Sequence, residues 1–172
     1  LGNHRLIEER HLCSPAIEAL LNEHERQGRT VTLLASENEV LAIFAVADTI
    51  KESSRSAIAE LHRLGVVSVM LTGDNVATAS AIAQQAGIDD ARGNLLPEDK
   101  LAAIEELRER YGSTAMTGDG INDAPALARA EIGVAMGAAG TDTAMEAADI
   151  VIMNDDLRRI PETIHLSRRT HA

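Results

Sequence analysis

Three side chains that can accept a cation or a proton, Asp119, Asn122 and Asp123, fall within five residues of "MTGDGINDAP" (116–125). Gly118 and Gly120 flank the first of them. Two carboxylates converging within ~4 Å repel by about 4 kcal/mol at an effective dielectric near 20. A divalent ion cancels that repulsion, and paired carboxylates completed by water and phosphate oxygens suit Mg²⁺. The glycines let the backbone approach an anion closely. The plainer alternative makes Asp123 a helix cap and Asp119 a turn former. So dense a pattern of acids after an apolar strand favours a metal site.

Two weaker clusters precede it. Thr72-Gly73-Asp74 directly follows the strand-like "VVSVML". A hydroxyl and backbone N–H groups at a strand-to-helix turn can cradle phosphate, with the following helix N-terminus behind them. Taken alone, the same three residues fit a plain turn whose Thr or Asp caps the next helix. Lys100, in "LLPEDKL", lies in a first helical turn, where a cation opposes the helix dipole. It could neutralise phosphate oxygens, as lysines do in phosphoryl-transfer sites. In isolation it equally fits a solvated lysine paired with Glu98 or Asp99.

The elements that must hold these clusters alternate along 172 residues, enough for one ordinary domain with a small appendage. Ser14-Pro15 opens an amphipathic helix through about Gln27, with Ile17, Leu20 and Leu21 on one face. "TVTLLAS" and "VLAIFAVA" form a hairpin about "SENE". Asp48 to Ser54 is a polar connector into a helix that carries Ile58, Leu61 and Leu64 and stops at Gly65. Strands "VVSVML", "STAMT", "IGVAM" and "DIVIM" then alternate with helices over Val76–Ala86, Pro97–Arg110, Asp123–Arg129, Thr141–Ala147 and Leu157 to about Arg168. Strands without a polar face, separated by helices, predict an α/β fold: a Rossmann-like, mostly parallel sheet with helices on both faces. The small N-terminal helix and hairpin stand apart from it. In such sheets ligands bind beyond the carboxyl ends of the strands, where all three clusters fall.

Composition bounds the function. The chain is 45% hydrophobic yet has one Phe, one Tyr and no Trp, so it offers no platform for stacking bases. With 16 basic and 27 acidic residues, its formal charge of −11 disfavours nucleic acid or an anionic membrane as partner. Cys13 is the only cysteine, which excludes an intrachain disulfide and favours a cytosolic setting. It has no glycine turn or local base that would make it a nucleophile. The longest apolar run, Val40 to Ala47, is far short of the ~18 residues of a membrane span. The opening "LGNHRLIEER" lacks signal-peptide character and an initiator Met, as a piece of a longer protein would. His4, His11, His24, His62, His165 and His171 have no ligand spacing with the cysteine and are expected to face solvent.

"TGDN", the Lys of "PEDK" and "TGDGINDAP", in that order after successive strands, resemble the later motifs of the haloacid-dehalogenase superfamily. "TGDGINDAPAL" followed by "GVAMGAAGTDTAMEAADIVIMNDDL" resembles the phosphorylation domain of P-type ATPases, most closely the heavy-metal (Zn/Cd/Pb-type) cation-transporting subgroup. "LGNHRLIEE" is similar to the end of that subgroup's nucleotide-binding domain, and "AVADTIKESS" to the hinge that follows. The resemblance implies a division at residues 1–46, the end of the nucleotide domain with hinge strands, and 47–172, the phosphorylation domain. It implies Asp119 as Mg²⁺ ligand, with Asp123 orienting the metal or its water. Thr72, Gly73, Lys100 and Asn122 would contact the phosphoryl group, and Asp74 would order their loop. Asn3 would touch nucleotide, although "LGN" is equally a surface turn; Asp48 and Lys51 would lie at the hinge, or in a solvated linker. ATP, phosphate and Mg²⁺ would be the ligands. The remaining nucleotide, actuator and membrane domains of a pump would be the partners, in a bacterial inner membrane with this part in the cytoplasm.

The family's nucleophile is the aspartate of D-K-T-G-T, and no such stretch occurs here. Asp48 follows an apolar strand, but "DTIKES" lacks the glycine and threonine in their places and matches the hinge better. Without a nucleophilic carboxylate no aspartyl-phosphate forms, so these residues alone are expected to be inactive and their sheet incomplete. The alternatives are a stand-alone phosphatase with an unorthodox carboxylate and a non-catalytic phosphate-binding module.

Overall fold

The computed structural model describes residues 2–47, 50–118, 121–137 and 142–170. In chain order the elements are α1 (His4–Glu9), α2 (Pro15–Arg26), β1 (Arg29–Ala35), β2 (Val40–Ala47), α3 (Glu52–Arg63), β3 (Val69–Leu71), α4 (Val76–Ala86) and β4 (Asp90–Arg92). There follow α5 (Pro97–Tyr111), β5 (Ala115–Gly118), a 3₁₀ turn (Ile121–Asp123), α6 (Ala124–Arg129), β6 (Ile132–Met136), α7 (Asp142–Ala147), β7 (Ile150–Ile152) and α8 (Arg159–Thr170). They divide into two compact units. One comprises 1–51 and 67–94, the other 52–66 and 95–172.

In the first unit β1 and β2 pair antiparallel from Arg29↔Ala47 to Ala35↔Val40, as the hairpin pattern predicts. Alternation places Val31, Leu33 and Ile43 against Ile7 of α1 and Leu21 of α2, and Leu21 and Leu33 are wholly buried. Gly2 exchanges backbone hydrogen bonds with Leu33 at 2.9 and 2.8 Å, tying the first residues to the hairpin. Ser14 caps α2 through Ile17 N–H, with Pro15 in the first turn. The same unit holds the parallel pair β3–β4 and α4. Asn75 accepts from Thr78 N–H at 2.9 Å to open α4, and left-handed Gly87 closes it.

The second unit contains a fully parallel three-stranded sheet in the order β5–β6–β7. Val134 and Met136 of β6 pack with Ile152, Leu157 and Ile160. Gly133, on the alternate face, lies so near α6 that a Cβ there would stand 2.7 Å from the Leu127 carbonyl oxygen. Side chains of β6 are thus covered on both faces, which explains its apolar run without polar alternation. Here α3 packs with α8, where His165 Nε2 lies 3.0 Å from Glu60 Oε1 and Arg168 Nη2 donates to the Leu64 carbonyl at 3.3 Å. The His165 hydrogen bond holds the Glu60 carboxyl below its ordinary range.

The α/β class and parallel pairing agree with the sequence reading. Two details differ. The parallel strands form two ladders, because among the described residues no strand pairs with both β3 and β5. The charged "DAR" of β4 was not expected as a strand; it pairs through its backbone with Val69–Leu71. Of the histidines, His4 is half-buried, with Nε2 3.7 Å from Cys13 Sγ and Nδ1 3.8 Å from Glu25, and His24 Nδ1 meets Arg29 at 3.0 Å. These two, like His165 against Glu60, are partnered rather than merely solvated. His171 lies outside the described residues.

Candidate functional site

The Gly-rich loop follows β5. Asp119 and Gly120 lie outside the described residues, but Asn122 and Asp123 close the 3₁₀ turn that leads into α6. Asp123 sits at the N-cap position of α6, yet its side chain makes no capping hydrogen bond. Its Oδ1 instead accepts from Lys100 Nζ at 2.7 Å, with both side chains only 16% exposed. The simple cap reading of Asp123 and the local-pair reading of Lys100 both give way to this contact. Asp99, the alternative partner for Lys100, accepts from the Leu96 N–H at 2.9 Å and so closes the start of α5. Pro97 in the first turn completes that start and fixes where Lys100 projects.

Gly118, the last residue of β5, makes room for the acid. A Cβ on it would stand 2.7 Å from Asp123 Cβ and 2.9 Å from Oδ2. This requirement is steric rather than conformational, and the sequence pattern alone gives no reason for it. Asn122 is exposed.

The Thr72–Asp74 loop belongs to the first unit. Thr72 Oγ1 donates to Asp74 Oδ2 at 2.9 Å and accepts from Asp74 N–H at 3.1 Å. The hydroxyl proton therefore points at the carboxylate of its own loop, and donating to a phosphoryl oxygen requires a change of acceptor. Gly73 and Asp74 are exposed at the entrance to α4. Asn3 is also exposed, and its Oδ1 accepts from Leu6 N–H at 3.1 Å, capping α1. Lys51 is exposed and is the last residue before the chain passes into the second unit. Asp48 lies outside the described residues.

Thus Lys100 meets Asp123 in one unit, and Thr72 meets Asp74 in the other. The Asp123 carboxylate, a hard oxygen donor with limited solvent access, fits Mg²⁺ chemistry. Among the described residues no three His, Cys, Asp or Glu side chains gather as metal ligands. Burial, with the charges of Glu18 and Glu8, pushes the Cys13 thiol up.

A family model for haloacid dehalogenase-like hydrolases matches residues 1–131. The chain belongs to that family. A probable cadmium-transporting ATPase of Alkalihalophilus pseudofirmus is 52% identical over 147 residues, 85% of this chain and 20% of that protein. A copper-exporting P-type ATPase of Staphylococcus haemolyticus is 45% identical over 170 residues, 99% of this chain and 21% of that one. The crystal structure of a zinc-transporting PIB-type ATPase in its E2·Pi state superimposes with a TM-score of 0.76 at 45% identity, covering 92% of this chain and 26% of that one. The chain spans about a fifth of the length of these curated relatives.

Proposed function

We propose that these residues supply the phosphate- and Mg²⁺-binding half of the phosphorylation site of an ATP-driven, heavy-metal cation-transporting P-type ATPase. The observation that carries the reading is the Lys100–Asp123 contact, which unites two motifs 23 residues apart in the sequence. Neither residue needed the other for a local structural role. The high identity to named metal-transporting ATPases supports the same conclusion.

In this reading Asp119 and Asp123 hold Mg²⁺, which supplies charge neutralisation for phosphoryl oxygens. Lys100, Asn122, Thr72 and Gly73 bind and orient the phosphoryl group, while Asp74 orders its loop. Lys100 neutralises Asp123 until ligand arrives, then shares its charge with phosphate oxygens. Residues 1–46 close the nucleotide domain, with Asn3 toward ATP, and 47–172 form the phosphorylation domain, with Asp48 and Lys51 at the hinge. The nucleotide, actuator and membrane domains of the pump are the partners. The site then works on the cytoplasmic side of a bacterial inner membrane. Among the described residues no helix is long and apolar enough to cross a membrane.

Because the 172 residues contain no D-K-T-G-T, they are expected to leave ATP unhydrolysed when isolated. Calorimetry tests the metal assignment. Mg²⁺ should bind weakly to the wild-type chain, and Asp119→Ala should abolish the heat. Identical titrations for the two proteins would refute the site.

A further inference from the structure

We propose that Arg92–Asn94 is a positioning strap that holds the Thr72–Asp74 loop in the shape required for an oxyanion of the phosphate class. The loop is gripped at both ends by these three consecutive residues. Thr72 N–H donates to the Arg92 carbonyl at 3.0 Å, and Asn94 N–H donates to the Asp74 carbonyl at 2.6 Å. Between them Gly93 presses on the turn into α4. A Cβ on Gly93 would stand 2.7 Å from the Asp74 carbonyl oxygen and 2.8 Å from both the N and Cα of Val76. All three atoms are backbone, so a larger residue displaces the loop itself rather than a flexible side chain.

Asn94 reaches Asp74 with φ of 58°, a left-handed conformation that asparagine and glycine tolerate best. Gly93 and Asn94 are positioning residues: they act through Thr72, Gly73 and Asp74. The choice of phosphate as ligand rests on the function proposed above, whereas the grip on the loop does not.

Amide NMR of the intact 172-residue chain, titrated with orthophosphate, tests the strap. In the wild type the Asn94 amide should be protected from hydrogen exchange, and the Gly73 and Asp74 cross-peaks should move with phosphate. Gly93→Ala should shift the cross-peaks of residues 72–76 and weaken phosphate binding at least fivefold, while those of β5–β7 stay in place. Asn94→Gly, which keeps both the N–H and the left-handed backbone, should bind within twofold of wild type; Asn94→Val should weaken binding as Gly93→Ala does. Unchanged loop cross-peaks and affinity in Gly93→Ala would overturn the proposal, and so would an unprotected Asn94 amide in the wild type. Should Gly93→Ala not fold, that amide and the Asn94 pair decide it. A wild type with the protected amide but no phosphate response would refute the anion-binding function, leaving the grip on the loop supported by the exchange and cross-peak data.

Discussion

Replacing Lys100 with Met keeps most of the side chain's apolar stem and removes its charge, leaving the Asp123 carboxylate unpaired. At 2.7 Å the attraction lost is about 6 kcal/mol at an effective dielectric of 20. Desolvation of the two ions offsets several kcal/mol of it, and breaking a fully buried pair costs about 3–5 kcal/mol. Exposed pairs contribute only about 0.2–1 kcal/mol. With both partners 16% exposed, the expected loss lies between those limits, at about 2–3 kcal/mol. For a chain of this size that corresponds to a melting temperature roughly 5–10 °C lower. Tyr111, the only tyrosine of a chain without tryptophan, ends the same helix as Lys100, so its fluorescence reports urea unfolding locally. The measurement is made first in EDTA and then in Mg²⁺. With the competing ammonium gone, Mg²⁺ should bind the variant more tightly than the wild type. At ten times its dissociation constant it should restore about 1.4 kcal/mol. A variant within about 0.5 kcal/mol of wild type in EDTA would refute the energetic role given to the pair. Equal Mg²⁺ responses in the two proteins would refute the competition.

Thr78 is 2% exposed in the first turn of α4, and its Oγ1 has no hydrogen-bond partner among the described residues. Thr78→Val is near-isosteric and should therefore be neutral or stabilising by up to about 1 kcal/mol, read as a higher urea midpoint; a loss of stability would reveal an unseen partner. At the start of α8 the hydrogen bonds from Arg158 hold the Asp156 carboxyl down to about 2. A depressed carboxyl contributes stability above its unfolded value near 4, and loses that contribution as pH falls from there through about 2. Carbon-detected NMR should place its midpoint near 2, rising part of the way toward the ordinary range in Arg158→Ala, which keeps the backbone N–H bond of residue 158; a wild-type midpoint near 4 would contradict the pairing.

The local order of the chain was legible because periodicity and caps are properties of neighbouring residues. Ser14-Pro15 opens α2 and Gly87 closes α4 as read, whereas the cap of α4 is Asn75 rather than the Thr or Asp of the preceding turn. Two strand-like runs about the polar "SENE" turn produced the hairpin, although its register, with a shift at Leu34/Ala35, came only from the structure. The density of acids beside glycines in "TGDGINDAP" is what makes it the candidate cation site. What could not be read is what depends on residues far apart in sequence. Nothing in "PEDK" points Lys100 at Asp123: helical spacing turns Glu98 and Asp99 away from the lysine, but it names no partner 23 residues on.

An incomplete sheet was expected for want of the D-K-T-G-T strand, but which strands fall in which ladder was hidden, because each strand's apolar pattern specifies burial but not its neighbour. The short β4 escaped notice because it pairs through its backbone while its sequence, "DAR", is charged. By itself the sequence determined most of the longer elements and the family, since these rest on local periodicity and on contiguous motifs, while the short α1 and β4 were missed. Only the tertiary structure joined Lys100 to Asp123, showed that Gly118 must lack a Cβ for that acid to fit, and set Gly93 and Asn94 against the Thr72–Asp74 loop. These are close approaches between separate segments, and they exist only once the backbone has fixed the distances.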